Sequence, residues 1–167
     1  LSLDGSLRRV FGVLPIVQKA KDIGFDEIIV PYINAEEAAI IDGVDIIPAH
    51  HLMEVLDHIT KKNCIQPQQH TKIVYTTPKF DVDMRDIRGQ ENAKRGIEIA
   101  AAGRHNIALF GPPGTGKTML AKALWGILPP LTANEVIEVT SIHSVVGMLS
   151  KKAITHPPFR NPHHTSS

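Results

Sequence analysis

The sequence predicts an α/β protein in two parts, and three features carry that prediction. Residues 1–60 alternate short apolar runs with helical apolar spacing, the pattern of a partly parallel sheet covered by helices. Residues 61–80 then turn polar and proline-punctuated, which marks a linker. Downstream, Gly111-Pro112-Pro113-Gly114-Thr115-Gly116-Lys117-Thr118 fits the phosphate-loop pattern G-x-x-x-x-G-K-[ST]. Ile107-Ala108-Leu109-Phe110 leads into it as a buried strand does, and helix formers from Met119 to Trp125 follow it.

In the first part, Leu1-Ser2-Leu3 reads as a short strand and Asp4-Gly5 as a turn. Val13, Leu14, Ile16, Val17, Ala20 and Ile23 have the spacing of a helix with one buried face, closed by Gly24 as C-cap. Glu27-Ile28-Ile29-Val30 is a strand stopped by Pro31. Asn34 and Glu37 form a capping-box pair for a short helix through Ile40. Val44-Asp45-Ile46-Ile47 is a further strand, and Leu52, Val55, Leu56 and Ile59 mark another helical face. No internal repeat is visible.

Within the linker a single apolar run, Ile73-Val74-Tyr75, offers one possible strand. The second part begins near Asp81. Gln90 to Ala102 is helical, with Ala93, Ile97, Ala100 and Ala101 as the buried side and Gly103 as cap. Pro129-Pro130 stops the helix after the glycine-rich loop. Thr132 and Glu135 cap another, whose apolar face runs through Val136, Val139, Ile142 and Val146. The basic tail from Lys151 to Ser167, rich in Pro and His, has no readable period.

Composition sets limits. With 167 residues, 43% hydrophobic and 21% charged, the chain is of ordinary globular type. A net charge of +1 gives no global reason to expect nucleic acid or membrane binding. The one cysteine, Cys64, excludes an internal disulfide and fits a reducing compartment. With no signal peptide and no apolar run of membrane-span length, a cytoplasmic location is expected.

The loop carries the chemistry. Its glycines let backbone N–H groups close around a β-phosphate, with the following helix dipole adding positive potential. Lys117 is expected to bridge the β- and γ-phosphates, and the Thr118 hydroxyl to hold Mg²⁺. A nucleoside triphosphate with Mg²⁺ is the implied ligand.

Hydrolysis also needs an acidic residue at the end of a second strand downstream of the loop. After Lys117 the only carboxylates are Glu135 and Glu138, and neither ends a strand-like apolar run. The catalytic acid is therefore expected outside residues 1–167. The chain reads as a piece of a longer protein, inactive as an ATPase alone.

Asp86-Ile87-Arg88-Gly89-Gln90, the helix after it, Gly103-Arg104-His105-Asn106 and the phosphate loop together resemble the start of an AAA+ ATPase module. The resemblance implies ATP as ligand, with the Ile87–Gln90 segment (Ile87, Gly89 and Gln90 among it) wrapping the adenine. Pro158-Phe159-Arg160-Asn161-Pro162-His163-His164-Thr165 is similar to a motif of the magnesium-chelatase-like branch, and so is Ile142-His143-Ser144. These matches cover residues 81–167.

Gly5, Val10, Gly12, Ala20, Gly24, Ile28-Ile29-Val30-Pro31 and Asn34 resemble the proteolytic domain of Lon, a ribosomal S5 domain 2-like α/β fold. On that register Phe11-Gly12 replaces a Gly-Gly pair and Leu14 stands where the catalytic Lys belongs. Lys19 is too far round the helix to substitute. The resemblance thus implies residues 1–60 as a Lon-like domain without the peptidase dyad, a linker over 61–80, and a truncated AAA+ module over 81–167. That arrangement resembles the ComM/YifB family. The resemblance implies a hexameric ring of identical subunits that hydrolyses ATP and acts on branched or single-stranded DNA, as in branch migration during natural transformation. Two other readings stay open: a motor for magnesium insertion into a tetrapyrrole, and an ATP-switched interaction module without catalysis.

Other candidates are weaker. Adjacent histidines rarely ligate one ion and no third ligand has motif spacing, so His163-His164 is read as structural or DNA-facing. His50-His51, Cys64 and His70 are read as surface and linker residues, and Trp125 as packed against the sheet. Lys151, Lys152 and Arg160 are candidates to face DNA in a ring pore. Arg88, Lys94, Arg95 and Arg104 give the helix before the loop a basic side, most simply a solvated one.

Overall fold

A computed structural model describes residues 1–76, 78–148 and 153–160. Its elements run α1 (Val13–Asp22), β1 (Glu27–Pro31), α2 (Tyr32–Ala38), β2 (Asp45–Ala49), α3 (Leu52–Ile59), a 3₁₀ turn (Met84–Asp86), α4 (Glu91–Gly103), α5 (Lys117–Ile127) and α6 (Ala133–Val145). This is a mixed α/β chain with one small parallel sheet. No helix among the described residues is long and apolar enough to cross a membrane.

The chain forms two compact units. One comprises Leu1–Val74 together with Thr132–Ile154; the other comprises Tyr75–Leu131 with Thr155–Ser167. The units therefore depart from chain order: α6, read from sequence as part of the second half, packs in the first unit.

In the first unit β1 and β2 pair in parallel, with Glu27 opposite Asp45 and Pro31 opposite Ala49. Val30 and Ile46 fill one core with Val13, Leu14 and Val17 of α1, Ala35 and Ala38 of α2, and Ala39, Ile40 and Ile41 after it. Leu14 is fully buried there. Ile16 and Ile23 of the expected α1 face instead point outward, 54% and 62% exposed, because the helix presents a narrower stripe to the sheet than its apolar content allows.

Asn34 does not open a helix. It lies inside α2, which starts at Tyr32, and is fully buried. Its amide Oδ1 accepts from the Val10 N–H and its Nδ2 donates to the Val10 carbonyl, both at 2.9 Å. A buried amide needs such partners, and Val10 supplies them 24 residues away, beyond the reach of a local capping reading.

His51, taken as a surface residue, is the N-cap of α3. Its Nδ1 accepts from the Met53 N–H at 3.1 Å and its Nε2 lies 2.8 Å from the Asp4 carbonyl. Leu1–Leu3 and Ile73–Tyr75 carry no strand ladder. The expected linker lies along the first unit as far as residue 74: the Gln68 N–H donates to the Ile46 carbonyl and the Thr71 N–H to the Ala39 carbonyl.

Helix α6 buries a face other than the expected one. The Thr132–Glu135 capping box is present. Val136, Thr140 and Ser144 face inward, however, while Ile142 and Val146 are 61% and 63% exposed. Spacing of i, i+4, i+8 keeps these three residues on one stripe. Thr140 Oγ1 accepts from the Ile154 N–H at 3.0 Å, the Ser144 carbonyl from the Gly12 N–H at 3.1 Å, and Ser144 Oγ donates to Glu37. With every polar group paired, burying hydroxyls costs little.

In the second unit, Ile87, Ile97, Leu120 and Ala123 form the core, with Val82, Met84, Ala93, Leu109, Leu124 and Ile127 around it. The expected buried side of α4 holds at Ile97, Ala100 and Ala101, while Ala93 is half-buried. The helix opens one residue later than expected, on Gln90 in left-handed conformation, and Arg104 rather than Gly103 closes it. Ile107–Phe110 is not a strand: no ladder partner faces it among the described residues, and Phe110 is 93% exposed. An isolated extended segment has nothing to hydrogen-bond.

Trp125 accordingly packs against no sheet. It meets Phe80 edge-on at 5.0 Å and Phe159 in a stack at 5.7 Å, and its Nε1 donates to the Pro157 carbonyl at 2.7 Å.

Candidate nucleotide-binding site

The loop from Gly111 to Gly116 leads directly into α5, whose first residue is Lys117. Gly114 and Gly116 both have φ 82°, a left-handed conformation that costs an L-residue about 1–2 kcal/mol. A Cβ at either position would meet nothing within 4 Å, so the requirement is conformational and the space over the loop is open. Gly116 caps the helix without a side chain, and no acidic residue stands in the first turn. Among the described residues no side chain caps the leading N–H groups of α5, a helix end suited to an anion.

Lys117 folds back over this opening. Its Nζ donates to the Gly111 carbonyl at 2.9 Å, the Pro112 carbonyl at 2.6 Å and Thr115 Oγ1 at 3.3 Å. Thr115 Oγ1 in turn donates to the Pro112 carbonyl at 3.0 Å. An ammonium held by neutral acceptors alone keeps its full positive charge for an incoming phosphate. Pro113 is exposed beside them, and Thr118 is exposed at the second position of α5. Loop, ammonium and hydroxyl are thus donors or hard oxygen ligands carried by one short stretch of chain, a set whose chemistry fits a triphosphate with Mg²⁺. Sequence spacing marked these residues; it carried no sign that Lys117 is tethered by the loop's own carbonyls.

Ile87 is 8% exposed and anchors its segment in the core with Ile97, Leu120 and Ala123. Gly89 and Gln90 follow with consecutive positive φ values of 66° and 60°. Gln90 is not a glycine, so that conformation is strained; its carbonyl accepts the Lys94 N–H at 2.9 Å at the head of α4. The segment can offer a base its backbone, since the Ile87 side chain is already committed to packing.

The two carboxylates downstream of Lys117, neither expected to be the catalytic acid, sit on α6. Glu135 belongs to its capping box and Glu138 is exposed; neither terminates a strand. The supposed basic side of α4 is partly neutralised, as Lys94 pairs with Glu91 at 3.3 Å and Arg95 with Glu98 at 3.1 Å. No group of three or more metal-ligating side chains occurs among the described residues, and Cys64 is free and exposed. Arg160 is exposed. Lys151, Lys152, His163 and His164 lie outside the described residues.

A sequence profile of the family "magnesium chelatase, subunit ChlI" matches residues 83–167. An uncharacterized protein of Mycobacterium tuberculosis is 45% identical over 169 residues, covering 100% of this chain and 33% of that relative. The uncharacterized protein YifB of Escherichia coli is 40% identical over 168 residues, and the competence protein ComM of Haemophilus influenzae 40% over 176, each across 100% of this chain and 33% of its own length. The chain thus spans about a third of the length of the curated relatives it matches. It belongs to the magnesium chelatase subunit ChlI family, which is of AAA+ ATPase type, in the group that includes YifB and ComM.

Proposed function

We propose that the full-length protein is a cytoplasmic AAA+ ATPase that assembles as a ring of identical subunits, a hexamer, and uses ATP hydrolysis to move DNA strands. The observation that carries the ATP part is Lys117 held over the glycine-rich loop at an uncapped helix end. In this reading Gly111, Pro112, Pro113, Gly114, Thr115 and Gly116 shape the phosphate cradle. Lys117 neutralises the β- and γ-phosphates, Thr118 supplies one ligand to Mg²⁺, and Ile87, Gly89 and Gln90 frame the base. Mg²⁺, when bound, draws charge from the phosphate oxygens. The carboxylate that orients the attacking water comes from beyond residue 167. Residues 1–60 are read as a Lon-like α/β domain whose peptidase lysine is replaced by Leu14, residues 61–80 as its linker, and residues 81–167 as the opening of the AAA+ module.

The DNA part rests on the likeness to the competence protein ComM across the whole chain. The test is the ATPase rate of the full-length protein with and without branched DNA, beside a Lys117→Ala control that lowers turnover by at least about 100-fold. Stimulation by branched DNA supports the reading; turnover indifferent to DNA rejects it. A second reading, metal insertion into a tetrapyrrole, draws on the profile match to the chelatase subunit over residues 83–167. It requires that turnover rise with a tetrapyrrole-chelatase partner instead.

A further inference from the structure

Within the first unit, Tyr32 and His50 stack face to face, with centroids 4.2 Å apart and planes 23° from parallel. Tyr32 opens α2 and His50 directly follows β2, so the parallel pairing of Pro31 with Ala49 sets the two rings side by side. Both are exposed, Tyr32 by 56%. They line a cleft of about 500 Å³ with Arg8 and Arg9, floored by Leu7 and Ala49. No carboxylate among the described residues lines it.

The two arginines are held in place without being neutralised. Arg8 donates through Nε to Ser2 Oγ, leaving its terminal nitrogens without a side-chain partner among the described residues. The Arg9 guanidinium lies 5.7 Å from the Phe11 ring centroid. Phe11 in turn closes over Gly147, where a Cβ would come within 2.8 Å of its ring. Asn34 fixes the same stretch by gripping both polar backbone groups of Val10. Neither arginine forms an ion pair among the described residues. Past Tyr32 the surface continues into a groove that Arg9 shares with Glu36 and Glu37, so the anion-binding side of the cleft is the one nearer Arg8.

We propose that this cleft binds single-stranded nucleic acid, with a base stacked on the Tyr32–His50 pair and the adjoining phosphates on Arg8 and Arg9. Stacking on an aromatic face is tolerant of sequence, and arginine adds both charge and a planar contact. An acidic protein segment would use the arginines but gain little from an open stacked ring pair. The inference rests on the DNA-directed reading above and locates one contact surface for it.

The test uses full-length protein and a labelled oligothymidylate of about 20 nucleotides, followed by fluorescence anisotropy between about 50 and 200 mM salt. Tyr32→Leu should weaken binding about 10-fold. Tyr32→Phe, which keeps the ring, should bind as the wild type does. Arg8→Gln with Arg9→Gln should lower the slope of log affinity against log salt by about 1.4, the value for two phosphate contacts on a single strand. Equal binding and equal slope in all four proteins would overturn the cleft and leave the DNA reading standing. No binding by the wild type would also overturn the cleft, while the DNA reading stands or falls on stimulation by branched DNA. Loss in Tyr32→Phe as large as in Tyr32→Leu would also overturn the cleft, since stacking needs no hydroxyl.

Discussion

Asn34 and Val10 hold one another by two hydrogen bonds of 2.9 Å, the amide oxygen taking the backbone N–H and the amide nitrogen giving to the carbonyl. Asn34 is fully buried, so nothing else replaces these partners. Asn34→Leu should destabilise the first unit by about 2–3 kcal/mol, because it leaves two backbone groups of Val10 without their partner. Urea unfolding followed by circular dichroism reads this as a lower midpoint at unchanged slope. A midpoint equal to wild type would show the pair to be idle.

Ser144 and Glu37 join α6 to α2 through a hydrogen bond between side chains 107 positions apart. Ser144→Ala and Glu37→Ala should each destabilise by about 1–2 kcal/mol. Their combination should fall short of the sum by about 1 kcal/mol, the coupling expected for directly bonded residues. Strict additivity would place α6 independently of Glu37.

Gly116→Ala asks a residue with a Cβ to adopt φ 82° at the mouth of α5. Nothing crowds the new methyl, so the effect is conformational, about 1–2 kcal/mol. Nucleotide affinity, measured by titration with a fluorescent ATP analogue, should fall by about 10-fold, and the melting temperature should drop by a few degrees. Lys117→Ala should cost more affinity than this, since it removes the charge rather than its setting. The reverse order would contradict the role given to Lys117.

Asp4 accepts the Ser6 N–H at 3.0 Å and the Ser6 hydroxyl at 2.8 Å. These bonds, the backbone one foremost, hold its carboxyl below the ordinary value of 3.8. A depressed acid stabilises the fold above its unfolded value and loses that contribution as pH falls through the folded one. Stability should therefore drop through the region just below pH 3.8, and Asp4→Asn should flatten that limb of the acid titration by slightly lowering the neutral plateau toward the acid end. The group is exposed, so the effect is small.

A shorter test concerns the missing acid. Residues 1–167 expressed alone should bind ATP weakly and release no phosphate, as their carboxylates past Lys117 stand in a helix cap and on an exposed helical face. Turnover by this piece would overturn the assignment of the catalytic acid to the longer protein.

The turn of the glycine-rich loop, the helix after it, the inner side of α4 and the Thr132–Glu135 cap were legible from sequence. Each depends on residues a few positions apart: glycines that alone adopt φ 82° cheaply, apolar side chains at helical spacing, a hydroxyl and a carboxylate three residues apart. Tertiary structure decided what local spacing does not encode. It turned α6 so that Thr140 and Ser144 face inward, because Ile154, Gly12 and Glu37 wait there with matching hydrogen-bond groups. It made Asn34 a clamp and His51 a cap, and stacked Tyr32 on His50 through the pairing of two strands. The division follows from range. Backbone preference and capping act within one or two helical turns. A buried polar group is stable only beside a partner, and that partner is brought from elsewhere in the chain by the fold.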